Sequence, residues 1–100
     1  MPPELHLDPA KLDLSRVLVD QEGIRRVNPQ RFEMEQLTAI VFVDREHHVI
    51  AGYKDVRPDE FWTRGHMPDF PLLPGVLMCE AAAQLCSYYT ITQGLVQGGF

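Results

Sequence analysis

The chain has 100 residues, enough for one small domain and too few for a second full one. Its 45% hydrophobic and 23% charged residues make an ordinary globular composition and exclude a disordered chain. Nine Lys and Arg stand against 14 Asp and Glu, and this formal net charge of −5 argues against a broad nucleic-acid surface.

Two cysteines, Cys79 and Cys86, stand seven apart on a predicted helix, on one face but too far apart along it to bridge. The reading is a reduced, cytoplasmic protein. The start, MPPELHLDPAKLDLS, has neither a basic n-region nor an apolar h-region. No apolar run reaches the roughly 18 residues of a membrane span.

Residues 1–12 read as a loose lead-in rich in proline and charge. In residues 13–27, Leu14, Val17 and Leu18 fit a short amphipathic helix that Gly23 ends or interrupts. Asn28 and Pro29 stop the pattern. Leu37–Val43, apolar and β-branched, reads as a strand. DREHH is a turn, and Val49–Val56 a second strand with Val49, Ala51 and Tyr53 on one face. Proximity pairs the two as an antiparallel hairpin. Residues 57–74 form a long connection stiffened by Pro58, Pro68, Pro71 and Pro74, of the kind that carries function.

A helix follows from Gly75 to about Tyr89, with Pro74 at its first turn and no Pro or Gly inside. Its apolar residues point in nearly every direction, so it is expected to be wrapped by a sheet or a partner. Two strands cannot enclose such a helix, so more chain or a partner must complete the core. A glycine-rich stretch, TQGLVQGGF, ends the sequence.

Glu80, Gln84 and Ser87 form one narrow polar stripe on this otherwise apolar helix. A buried carboxylate must be bonded, paired or kept protonated, and a protonated carboxyl suits general acid catalysis. The bland alternative is a carboxylate paired inside an interface. His66, after Gly65 in the proline-stiffened loop, suits a general base near neutral pH. The alternative there is a surface histidine. The free N–H of Gly75 at the helix start can hold an oxygen that develops negative charge; the alternative is a tight turn. His47 and His48 are adjacent and lack metal-ligand spacing, so no metal is expected. No Gly-rich phosphate loop is present.

The stretch GHMPDFPLLPGVLMCEAAAQ, residues 65–84, closely resembles the central motif of the β-hydroxyacyl-acyl-carrier-protein dehydratases of the hotdog superfamily. Gly65, His66, Pro68, Pro71, Pro74, Gly75, Val76, Leu77, Glu80, Ala81 and Gln84 fall in register without a gap. Pro29, Arg31 and Phe32 of NPQRFEM, and YKDVRPDEFW, match more weakly. Met67 stands where the family usually has phenylalanine, Asp69 where it often has glycine, and Thr63 where a second aromatic is usual.

The resemblance implies an α+β hotdog fold, a curved antiparallel sheet wrapped around a long central helix. It implies one hotdog-like domain over residues 1–100, here lacking the family's C-terminal strands. It implies a homodimer or higher homo-oligomer whose active sites take the histidine from one subunit and the glutamate from the other. His66 and Glu80 would be catalytic. Gly75 and Gln84 would position substrate, the Gly75 amide on the thioester carbonyl and Gln84 on Glu80 or a water. Trp62, Met67, Phe70 and Val76 would form the pocket wall.

The substrate so implied is a 3-hydroxyacyl thioester of acyl carrier protein or coenzyme A, dehydrated to the trans-2-enoyl thioester in fatty-acid or related lipid synthesis. No cofactor, nucleic acid or membrane span is expected. Arg25, Arg26, Arg31, Arg57 and Arg64 are candidates for a basic entrance facing an acidic carrier. Two other readings stay open: a hotdog acyl thioesterase, and a non-catalytic acyl-binding or scaffold domain.

Overall fold

The computed structural model of the chain describes residues 7–95. Four elements carry the fold: α1 (Gln21–Arg25), β1 (Ala39–Asp44), β2 (Val49–Tyr53) and α2 (Gly75–Thr92). Short 3-10 turns occupy Pro9–Lys11, inside the expected lead-in, and Phe32–Met34.

The helix expected within residues 13–27 is shorter and later. Asp13 accepts from the backbone N–H of Ser15, a local turn that competes with helix. Leu14, Val17 and Leu18 are consequently about half exposed (52%, 45% and 50%) rather than packed. Val19 instead forms an isolated antiparallel bridge with Ile40. Asp20 then caps α1, its carboxylate accepting from the N–H of Gly23 at 2.9 Å. Gly23 therefore lies inside the helix and does not end it. The stop at Asn28 holds, with the N–H groups of Val27 and Asn28 both closing onto the carbonyl of Ile24.

β1 and β2 pair antiparallel, and a register irregularity between Ile40 and Phe42 marks a bulge. β2 ends at Tyr53, three residues before the expected Val56, where the N–H of Asp55 turns to the Thr38 hydroxyl. Gly52 lies against the carbonyl of Ala39: a Cβ there would stand 2.6 Å from that oxygen and 3.4 Å from Leu85 Cδ1. Glycine thus lets the bulged strands and α2 meet.

The core is the cluster of Ile24, Leu37 and Ile40, with Val19, Val43, Ile50, Ala81, Leu85 and Tyr88 packed against it. α2 therefore lies along one face of the antiparallel sheet, and the α+β architecture is the hotdog arrangement of a long helix on a sheet. α2 runs one turn beyond Tyr89. It closes in a Schellman cap, where Gly94 has φ +68°, Leu95 N–H reaches the Thr90 carbonyl and Gly94 N–H the Ile91 carbonyl. The glycine-rich end from residue 96 onward lies outside the described residues.

Within the described residues α2 is covered on one side, as expected where only two strands are present. Only Leu77, Gln84 and Tyr89 of the helix are fully buried, while Met78, Cys79, Ala82, Ala83 and Cys86 are exposed. The described strands cover one side of the helix, as two strands must. No helix among the described residues is long and apolar enough to cross a membrane.

Candidate active site

His66 sits at the close of a turn-rich segment that begins at Arg57. Its N–H donates to the Trp62 carbonyl at 2.9 Å, and its own carbonyl accepts from Leu72 N–H at 2.6 Å. Between them, Met67 and Phe70 exchange N–H···O=C bonds of 3.1 and 3.0 Å around Pro68 and Asp69. Asp69 has φ +63°, which explains why glycine suits this position, and aspartate is among the residues that tolerate it.

The imidazole is fixed as well. Its Nδ1 lies 2.8 Å from the Leu72 carbonyl oxygen. A carbonyl only accepts, so Nδ1 donates, and in the neutral ring the lone pair is on Nε2. The loop thereby selects the tautomer in which Nε2 can act as a base, on a half-buried ring.

An ion pair ties this segment to the sheet. The Lys54 ammonium, just past β2, meets the Glu60 carboxylate, their side chains only 12% and 14% exposed. Glu60 also accepts from Arg57 N–H at 2.8 Å. Burial pushes the Glu60 carboxyl upward. The Arg57 N–H and the Lys54 ammonium outweigh it and hold the group below the usual 4.5. Lys54 and Glu60 were not singled out by the sequence as a pair, because a charged loop residue six positions away looks like ordinary surface.

Glu80 is half-buried in the second turn of α2, and its Oε1 accepts from Gln84 Nε2 at 3.1 Å. Gln84 is 2% exposed. Its Oε1 accepts from Gln36 N–H at 3.0 Å, and its Nε2 also donates to the Met34 carbonyl at 2.7 Å. Asn28 Nδ2 donates to the Gln84 carbonyl at 2.9 Å. Glu80 and Gln84 of the polar stripe are therefore bonded to each other, the Gln84 side chain is held by the backbone of 34–36, and Asn28 holds the helix main chain at Gln84. A buried glutamine implies partners, but which ones could not be read from spacing.

Gly75 is exposed, and a Cβ built on it would meet nothing within 4 Å. Among the described residues neither the Gly75 nor the Val76 N–H has a hydrogen-bond acceptor. The helix start thus presents free donors with the dipole behind them.

The remaining candidates are not brought together inside one chain. Trp62 is buried at 6% exposure, but Met67, Phe70 and Val76 are open at 52%, 68% and 76%. A wall made of those three needs a surface from outside the chain. No hydrogen bond joins His66 to Glu80 among the described residues. A cleft of about 590 Å³ between Arg25, Glu35, Lys54 and Glu60, and a groove of about 720 Å³ beside Phe42, Ile50 and Tyr88, are lined by none of His66, Gly75 or Glu80.

The basic candidates divide. Arg25 grips Glu35 through Nε at 2.7 Å and Nη2 at 2.9 Å, Arg57 pairs with Asp59, and Arg31 donates to the carbonyls of Arg25, Asn28 and Gln30. Arg26 and Arg64 enter no ion pair among the described residues. His47 meets Asp44 and His48 Nδ1 meets the Tyr89 hydroxyl at 2.7 Å, so both serve the β1–β2 turn.

The fold is a hotdog domain in which a loop carbonyl fixes the His66 ring and Gln84 bonds the Glu80 carboxylate. A family model described as a FabA-like domain matches residues 28–99. The chain is 42% identical over 66 residues to the 3-hydroxyacyl-acyl-carrier-protein dehydratase FabZ of Francisella tularensis subsp. novicida (strain U112), covering 66% of this chain and 40% of that protein. The same figures hold for the protein of that name from Francisella tularensis subsp. tularensis (strain SCHU S4 / Schu 4). The chain belongs to the FabA-like family, in its FabZ-like branch of the hotdog superfamily. It spans 40% of the length of these curated relatives.

Proposed function

We propose that this domain dehydrates 3-hydroxyacyl thioesters, carried on acyl carrier protein, to trans-2-enoyl thioesters in fatty-acid or related lipid synthesis, as a cytoplasmic homodimer. The observation that carries the reading is the Nδ1–H of His66 on the Leu72 carbonyl, which leaves Nε2 as the free base. Nε2 takes the proton from C2, the electron pair forms the C2–C3 double bond, and the C3–O bond breaks. The departing hydroxyl takes the Glu80 proton and leaves as water. His66 then returns its proton through solvent while Glu80 regains one.

The elimination is redox-neutral and builds charge on the thioester oxygen, where the unpaired Gly75 N–H would hold it. Open space around the Gly75 Cα supports this role, since none of the described residues demands glycine there. The exposure of Met67, Phe70 and Val76 supports a site completed by a second copy, with Glu80 from the partner facing His66. The same Nε2 could take a proton from water in thioester hydrolysis, the competing chemistry, so the product formed separates the two readings.

Mixing tests the reading. His66→Ala and Glu80→Ala proteins, each inactive alone, should regain roughly a quarter of wild-type turnover when refolded together, because half the dimers then hold one intact site. Recovery of none would break the shared-site reading, and release of free thiol instead of enoyl product would favour a thioesterase.

A further inference from the structure

Resting on that reading, we infer that the backbone of residues 34–36 fixes which oxygen of Glu80 carries the catalytic proton, acting through Gln84 as a positioning residue. The Gln84 amide cannot turn over. Gln36 N–H can only donate and the Met34 carbonyl can only accept, and both demand the same orientation of the amide. One N–H of Nε2 is spent on Met34, and the other is aimed at Glu80 Oε1 at 3.1 Å.

That N–H offers Glu80 a donor and no acceptor. Glu80 Oε1 must therefore accept, so in the acid form the hydroxyl hydrogen sits on Oε2. Oε2 has no hydrogen-bond partner among the described residues and is the oxygen left for substrate. Had the amide been free to flip, its carbonyl could bind the acid's O–H and withdraw the proton from chemistry. The Gln36 N–H and the Met34 carbonyl remove that alternative. Segment 34–36 thereby becomes part of the acid's support.

Two substitutions separate positioning from space filling. Gln84→Glu keeps the size but presents a carboxylate where an N–H is required; Gln84→Met keeps the length and presents nothing. Relative to wild type, kcat should fall about 100-fold or more for Gln84→Glu and about 10-fold for Gln84→Met, with KM changed less than about threefold. Equal kcat in both folded variants and wild type would overturn the inference. Absence of dehydration in the wild type would count instead against the proposed function.

A measurement without activity covers variants that fail to fold. In wild-type protein the Gln84 side-chain amide protons should exchange at least about tenfold more slowly than those of exposed Gln21. One of the two resonances should move in Glu80→Ala. Exchange at the Gln21 rate, or no movement, would overturn the clamp whatever reaction the protein performs.

Discussion

The ring of His66 is bonded to a backbone carbonyl only six residues further on, Leu72, at 2.8 Å. The prolines on either side of Leu72 and the turn at Pro68–Asp69 hold that carbonyl in place, so a local loop sets which ring nitrogen of His66 donates. In the proposed reaction this makes the loop part of the chemistry.

His66→Gln tests the tautomer argument without emptying the site. Glutamine can still donate to Leu72 but offers no basic nitrogen. Dehydration should fall by about 10²–10⁴-fold while the thermal midpoint stays within a few degrees of wild type. Thermal melts beside turnover assays check both halves.

The Lys54–Glu60 pair should be visible in stability against pH. The Glu60 carboxyl is held below its usual 4.5, so its folded-state value lies below its unfolded one. Its contribution is therefore present above pH 4.5 and is lost as pH falls from there through the folded value. Lys54→Met should cost about 1–3 kcal/mol at neutral pH, and less in acid, when measured by urea unfolding. Glu60→Gln should flatten the acid limb. An unchanged acid limb would show that the pair does not tie the loop to the sheet.

Gly52→Ala should destabilise the domain by about 1–3 kcal/mol, because the added methyl meets the backbone oxygen of Ala39 rather than a yielding side chain. Urea midpoints of wild type and variant decide this.

Asp69→Gly should stabilise by up to about 1 kcal/mol, because a residue at positive φ no longer carries a Cβ. Asp69→Val should do the reverse and lower turnover with it, since the same turn positions Leu72. Melting temperatures and turnover, measured together, link the turn to the base.

Much of this was legible in the order of residues. α2 could be read because nothing between Val76 and Thr92 breaks a helix, and β1 because β-branched residues run together. Glu80 and Gln84 stood out as polar residues on an apolar helix. The 13–27 segment misled because Leu14, Val17 and Leu18 have helical spacing, while Asp13 and Asp20 bind backbone N–H groups and move the helix start to Gln21. Gly23 looked like a breaker yet lies inside α1. What spacing could not supply were long-range partners: Asn28 and Gln36 for Gln84, and Ile40 for Val19. Nor could it show that Arg25 and Arg57 are already committed to acids rather than free to face a carrier.

The central claim is that His66 removes a C2 proton from a 3-hydroxyacyl thioester. The most direct test follows enoyl-thioester formation from a carrier-linked 3-hydroxyacyl substrate by the full-length gene product, with His66→Ala assayed beside it. The account predicts turnover in the first and a loss of at least about 100-fold in a second protein that remains folded. Equal rates in the two, or no enoyl product from a folded wild type, would contradict it.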